Sequence, residues 1–302
     1  MENRALIFDI KRDCSEDGPG IRTTVFFKGC PLSCTWCQNP EGKEKHLQIS
    51  FDANRCKPEL CNTACINVCE AHCLSFVDKL HVNHDQCTRC DHCFDVCPTK
   101  ALEPVGYWIT LDDLLYRILI DEPFFQSSGG GVTLSGGEVT QQMPFIHQLL
   151  KALKTRGIHT AIETSGFFNY RKFQQLVLPW LDLIYFDLKL IDEEQSREFT
   201  GQGNHLILEN FNRLIEQDDV AVIPRIPLIP NITATEKNLS GIAHLLNKLH
   251  VSGATLLPYN PLWQDKLKKL DLNPRYLRKT LMNSDEKNLC VDNFYAGATE
   301  VK

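Results

Sequence analysis

Long apolar runs are missing from this chain. None of its 302 residues lies in a stretch approaching the ~18 apolar residues that a membrane-spanning helix needs. The N-terminal stretch 1–13 carries charges on both sides of a four-residue apolar segment, unlike an export signal, so a cytoplasmic location is expected. A basic block is missing too: 32 Lys and Arg stand against 38 Asp and Glu, a formal net charge of −6, with no cluster of the kind that neutralises a phosphate backbone. Neither membrane nor nucleic acid is therefore an expected partner. With 43% hydrophobic and 23% charged residues the chain is compositionally globular, which excludes disorder, and it is long enough for one large α/β domain or two ordinary ones.

Cysteine is almost absent from the last two-thirds of the chain. Of fourteen cysteines only Cys290 lies beyond Cys97, so whatever they do is local. Disulfides need an oxidising compartment and usually serve a domain short of core, and neither condition is met here. Metal binding is the better reading.

Six β-branched or apolar runs ending in polar residues or Gly read as buried strands: 23–29, 130–137, 159–166, 183–190, 220–229 and 254–260. Helical periodicity fills 111–121, 141–156, 170–178, 205–217 and 236–250, and Thr110 with Asp113 opens the first of these as a capping box. Alternating strand and helix predicts βα units around a parallel sheet, either open and doubly wound or an incomplete barrel. Both place function at the C-terminal ends of the strands.

Residues 52–104 interrupt this alternation with a Cys-rich stretch too long for an ordinary βα loop, which reads as a small inserted domain held by metal. It contains a repeat. The second copy, Cys87-x2-Cys90-x2-Cys93-x3-Cys97-Pro98, has the spacing of bacterial two-cluster ferredoxins. The first copy is looser, Cys56-x4-Cys61-x3-Cys65-x3-Cys69, with Glu70 in place of proline and Cys73 where the second copy has Ala101. In such pairs the fourth cysteine of each run ligates the other cluster. The expected sets are Cys56, Cys61, Cys65 and Cys97 on one cluster, and Cys87, Cys90, Cys93 and Cys69 on the other. Zinc is the alternative, though its sites usually pair two short knuckles far apart.

A third group, Cys30-x3-Cys34-x2-Cys37, directly follows the first predicted strand. Three thiolates on one loop hold three irons of a [4Fe–4S] cube and leave the fourth open, and an open metal position is where substrate binds. This CxxxCxxC arrangement resembles the radical S-adenosylmethionine (SAM) superfamily. Asp17-Gly18-Pro19-Gly20-Ile21-Arg22 and Trp36-Cys37-Gln38-Asn39-Pro40 resemble the DGPGIR and WCxNP signatures of glycyl-radical-enzyme activating enzymes, and the ferredoxin-like insert resembles that of their multi-cluster members.

That resemblance, which runs nearly end to end, implies a fold, a site and a reaction. The fold is α/β, a partial (β/α)6 TIM-like barrel with an inserted ferredoxin-like two-cluster domain: 1–51 begins the barrel, 52–104 is the insert and 105–302 completes the barrel. Three [4Fe–4S] clusters and SAM are implied, with SAM chelating the open iron at Cys30, Cys34 and Cys37, beside Trp36 and Gln38. Ser135-Gly136-Gly137-Glu138 resembles the GGE motif that binds the SAM amino group, with Val139 where the family usually has proline. Asp187-Leu188-Lys189 resembles a DxK motif near SAM, and Glu163-Thr164 a strand end that, with Asp187, helps hold a monovalent cation. Arg225 and the stretch around Asn260 lie at later strand ends that contact SAM; Asn260 replaces a frequent histidine and cannot titrate near neutral pH. Outside this context Asp187 and Lys189 would read as a surface ion pair.

The implied reaction is reductive cleavage of SAM to methionine and a 5′-deoxyadenosyl radical that takes hydrogen from a backbone glycine of a partner glycyl radical enzyme, with Asp17 near the partner's loop. Flavodoxin or ferredoxin is the implied electron donor. A radical SAM enzyme acting on a small molecule is the alternative, and a non-catalytic electron carrier or zinc scaffold a third reading that leaves GGE and DxK unexplained. Cys14, Cys73 and Cys290 remain unassigned and read as buried free thiols.

Overall fold

The six predicted strand segments lie side by side in one sheet. The computed structural model describes residues 3–299. Its strands are β1 (Arg4–Cys14), β2 (Arg22–Phe27), β3 (Gln48–Phe51), β4 (Leu74–Phe76), β5 (Leu80–Val82), β6 (Leu102–Val105), β7 (Tyr107–Thr110), β8 (Gly131–Gly136), β9 (His159–Thr164), β10 (Leu183–Asp187), β11 (Ala221–Leu228) and β12 (Thr255–Pro258). Eight of them pair in the order β12-β11-β10-β9-β8-β2-β1-β7. From β2 to β12 every neighbour is parallel, while β1 is antiparallel to both β2 and β7. The fold is thus mixed α/β around a parallel sheet.

Along β8 the fully buried Val132 and Leu134 alternate with Thr133 and Ser135, and along β10 Ile184 and Phe186 alternate with Tyr185 and Asp187, so one face of the sheet is apolar and the other carries polar groups. Helix Met143–Thr155 buries Phe145, Ile146, Leu149, Leu150 and Leu153, a stripe at helical spacing against β8 and β9. Fully burying each such side chain is worth roughly 1.5–3 kcal/mol. Helix starts are fixed by side-chain oxygens that accept from otherwise unpaired N–H groups: Thr110 from Asp113, Asn169 from Lys172, Asp192 from Glu194 and Gln195, and Thr235 from Asn238.

Strand β1 and the C-terminal helices lie outside the sequence expectation. β1 falls on a stretch with only four adjacent apolar residues, and its charged second half is exposed. Its first half is held from both sides, Ala5 opposite Ile109 and Ile7 opposite Tyr107 and Phe27. The C-terminal region adds helices Trp263–Lys269 and Ser284–Thr299, which carry no strong apolar periodicity.

β3 pairs antiparallel with β6, so the Cys-rich segment enters and leaves side by side, with its neck at 48–51 and 102–105. It has its own apolar cluster of Ile49, Phe51, Leu74, Leu80, Val82 and Leu102 together with cysteines. The sequence repeat is also a structural one: one-turn helices Ala64–Asn67 and His92–Asp95 each follow a residue in the left-handed region, Thr63 at φ 53° and Asp91 at φ 66°.

Candidate functional site

Parallel strands all present their C-terminal ends to one side, and that side gathers most of the residues singled out above. The loop 30–37 leaves β2, Gly136–Glu138 ends β8, Glu163–Ser165 ends β9, Asp187–Lys189 ends β10, and Arg225 on β11 is in register with Asp187.

The cysteine loop is clamped from several elements. Cys30 N–H donates to Lys43 O at 2.9 Å, Ser33 N–H to Thr200 O at 2.7 Å and Thr35 N–H to Phe199 O at 3.0 Å. Lys266 bonds Gln38 O and the Asn39 side chain, both at 3.3 Å, and Gln38 donates to Asn260 O at 3.3 Å. The end of β12 is thereby tied to the loop after β2. Burial pushes all three thiols up, Cys34 to about 11; neighbouring thiols add to the effect at Cys30 and Cys34, and Lys189 and Lys43 oppose it at Cys34 and Cys37. Three partly enclosed sulfurs on one loop, disfavoured as bare anions and facing lysines, suit a cationic iron centre that takes one thiolate per iron. In the same loop the buried Thr35 hydroxyl has no partner among the described residues. Trp36, by contrast, is 3% exposed and belongs to the core.

The two glycines of the GGE turn are required by the protein itself. Gly136 has φ 117°, and a Cβ there would lie 2.4 Å from Phe27 O; one on Gly137 would lie 2.4 Å from Gly42 O. Gly137 N–H and Glu138 N–H donate to Phe27 O and Gly29 O, both at 2.8 Å, so the turn is laced to the start of the cysteine loop. The fully buried Glu138 carboxylate accepts from Thr140, from the Thr164 hydroxyl, and from Ser165 N–H and Oγ. Its bonds lock β8 to β9, a positioning role that the sequence did not suggest.

A charged network joins four strand ends. Arg225 donates to Asp187 Oδ1 from Nε and Nη2 at 3.1 Å, and from Nη1 to Glu163 Oε1. Glu163 Oε2 accepts from Ser135, and Asp187 Oδ2 pairs with Lys189 at 2.8 Å. Burial works against the Asp187 carboxylate, but Lys189 and Arg225 outweigh it and hold the group below the ordinary carboxylate range. The same balance holds Lys189 and Arg225 above their ordinary values. The Asp187–Lys189 pair is therefore part of an enclosed array. Every carboxylate oxygen in it has a protein partner. Leu188, between the pair, is a core residue that contributes only backbone, N–H to Arg225 O at 2.9 Å.

Asp17 sits before β2 in a loop held from below. Thr24 Oγ1 donates to Asp17 Oδ2 at 2.6 Å, Thr133 Oγ1 to Asp17 O at 2.7 Å, and buried Arg22 to Pro19 O, Val132 O and Thr133. Gly18 lies against the Arg22 side chain, where a Cβ would come within 2.8 Å. The loop is preformed, with Asp17 half-buried.

In the Cys-rich segment one cavity is lined by Cys56, Cys61, Cys65 and Cys97. A second is lined by Cys69, Cys73, Cys87, Cys90 and Cys93. Among the described residues no three ligating side chains converge on a single point, as one metal ion would require. A cube, by contrast, distributes its thiolates over separate corners. Sequence reasoning missed Ser135, Thr140, Ser165 and Arg22 as supports; only Ser135 and Arg22 stood inside a recognised motif.

Comparison with known proteins agrees with this geometry. A model described as the radical SAM superfamily matches residues 87–239, and one described as a 4Fe-4S single cluster domain matches 16–75, which contains the three-cysteine loop. The chain is 41% identical to the choline trimethylamine-lyase activating enzyme of Oleidesulfovibrio alaskensis, over 89% of this chain and 88% of that one. It is 36% identical to the isethionate sulfite-lyase activating enzyme of Nitratidesulfovibrio vulgaris (88% and 87% covered). It is 38% identical to the pyruvate formate-lyase 2-activating enzyme of Escherichia coli (88% and 81% covered). With the cysteine loop, the GGE turn and the charged strand ends in place, this chain belongs to the activating enzymes of glycyl radical enzymes within the radical SAM superfamily.

Proposed function

We propose that the chain installs a radical on a backbone glycine of a partner glycyl radical enzyme, and that it does so with three [4Fe–4S] clusters and SAM. The observation that carries this is the loop of three partly enclosed thiols at the strand ends, facing Lys189 and the Arg225 network. Cys30, Cys34 and Cys37 would hold the cluster that, when bound, would supply the one electron for reductive cleavage of SAM to methionine and the 5′-deoxyadenosyl radical, which would take the glycine hydrogen. Gly136 and Gly137 keep the backbone close to that loop, while Glu138 and Thr164 hold the turn rigid. Glu163, Asp187, Lys189 and Arg225 form a preorganised polar wall for the amino-acid end of SAM; Gln38 and Asn260 border it. Asp17 presents its carboxylate and neighbouring backbone to an extended glycine loop of the partner.

The six parallel strands are read as a partial (β/α)6 barrel, which the Gln38–Asn260 bond between the first and last strand ends supports. Residues 52–104 are read as a ferredoxin-like domain carrying two clusters, on Cys56, Cys61, Cys65, Cys97 and on Cys69, Cys87, Cys90, Cys93, that pass electrons from a flavodoxin or ferredoxin. The relatives named above serve different lyases, so the partner's own substrate is not assigned.

Anaerobic reconstitution tests this reading. The expected result is about twelve irons per chain, as three cubes require, with reductive SAM cleavage and an EPR-detected glycyl radical on the partner. A preparation dominated by zinc would overturn it. SAM cleavage with deuterium from a labelled small molecule, and never from a partner glycine, would favour the small-molecule alternative.

A further inference from the structure

Cys73 is left over by the repeat, yet it is not isolated. It is 5% exposed, Cys69 is 8% exposed, and their sulfurs are 3.3 Å apart. Both line the cavity shared with Cys87, Cys90 and Cys93. The sister cavity has four thiols and this one has five.

The repeat shows what each sulfur does. Cys97 Sγ accepts from Ala101 N–H at 3.2 Å. Cys69 and Cys97 sit in equivalent turns: His72 N–H donates to Cys69 O at 3.0 Å and Lys100 N–H to Cys97 O at 3.2 Å, with His72 and Lys100 both at φ 50°. Cys69 therefore occupies the same backbone turn as Cys97, and Cys73 adds a thiol where the sister site has the methyl of Ala101. Cys87 lines the same cavity. Each iron of a cube takes one thiolate, and its corners are separate. Two sulfurs in mutual contact therefore address one corner.

Resting on the reading that this segment holds two clusters, we infer that Cys73 is a second thiol for the iron corner served by Cys69. With Cys69 ligating, the Cys73 S–H donates to the Cys69 sulfur. With Cys69 removed, the Cys73 sulfur releases its proton to solvent and forms the iron–sulfur bond, with no electron moved. The contact distance means that this needs a side-chain rotation and no rebuilding of the loop.

The test uses the full chain, reconstituted anaerobically, with iron content and the EPR spectrum of the dithionite-reduced protein as readouts. Cys69→Ala is expected to keep the wild-type content of about twelve irons, with one cluster signal altered, while Cys69→Ala/Cys73→Ala falls by up to about four. Cys97→Ala, whose corner has no second thiol, is expected to lose iron alone, and Cys97→Ala/Ala101→Cys to recover it. Cys73→Ala keeps all its iron, as Ala101 in the sister copy shows alanine to be accommodated there. Its cluster potential is expected to move lower, because a hydrogen bond to a ligand sulfur is lost. A Cys69→Ala protein with the same iron deficit as the double variant would overturn the inference. If the wild type itself holds only about four irons, the two-cluster reading fails first, and the inference with it.

Discussion

Arg225 is the position where one substitution should separate an assembled charge network from a set of surface pairs. Arg225→Met removes the two 3.1 Å bonds to Asp187 and the contact with Glu163 while keeping most of the side-chain volume. The side chains involved are only 13% exposed for Arg225, 17% for Glu163 and 23% for Asp187, so surface screening does not dissolve the interaction. Removing one partner of a fully buried pair costs about 3–5 kcal/mol. Here Lys189 still pairs with Asp187 and Ser135 still donates to Glu163, which brings the expected loss to about 2–3 kcal/mol. For a chain of this size that corresponds to a fall in Tm of roughly 5 °C. Adding Glu163→Gln should recover part of the loss, because it neutralises the anion left without its guanidinium. The pH dependence follows from Asp187, whose carboxyl is held below its ordinary value: burial opposes its charge, and Lys189 and Arg225 overcome that. The stabilisation it carries is complete above the unfolded value near ~3.9 and is lost as pH falls through the lower folded value. The gap between wild type and Arg225→Met is therefore full at pH 7 and narrows below about pH 4. The assay is anaerobic thermal unfolding followed by circular dichroism across that range. A variant within about 0.5 kcal/mol of wild type at pH 7 would refute the reasoning. So would a gap that widens in acid, or a Glu163→Gln addition that deepens the loss in full.

Three further outcomes are expected. Cys34→Ala should reduce iron from about twelve to about eight per chain and abolish SAM cleavage with the other clusters retained; cleavage at the wild-type rate would move the catalytic cluster elsewhere. Asp17→Asn should leave uncoupled 5′-deoxyadenosine formation intact while the ratio of partner radical to 5′-deoxyadenosine falls by an order of magnitude or more, because hydrogen transfer depends steeply on placement; an unchanged ratio would return the loop to a purely structural role. Asp121→Asn, far from the site, should lower stability by about 1 kcal/mol, since it breaks bonds from Arg12 and Thr23, with Arg12 half-exposed. Burial opposes the Asp121 charge and those two bonds overcome it, holding the carboxyl below its ordinary value, so the difference should be full above about pH 4 and vanish in stronger acid, as read from urea midpoints.

Six parallel strands, the helices between them, the cysteine loop and the repeat of the Cys-rich segment were all legible in the chain, because each is a matter of local spacing. Alternation of apolar residues, a capping pair such as Thr110 and Asp113, and thiols two or three residues apart act within one or two turns of backbone. What needed the tertiary structure is set by contacts between residues far apart in sequence. β1 is a strand because β2 and β7 flank it, a pairing that its own charged composition conceals. Glu138 belongs to a turn by motif, but register between β8 and β9 decides that its carboxylate is spent on Thr164 and Ser165. Asp187 and Lys189 were legible as a motif only by resemblance, since composition alone fits a surface pair; the parallel register of β10 and β11 sets Arg225 beside Asp187 and encloses both charges. Cys73 looked like a spare thiol, and only the fold of the Cys-rich segment brings its sulfur to 3.3 Å from that of Cys69 in one cavity. Local spacing specifies which groups exist on a strand or loop; burial and long-range register determine which of them meet, and at what electrostatic cost.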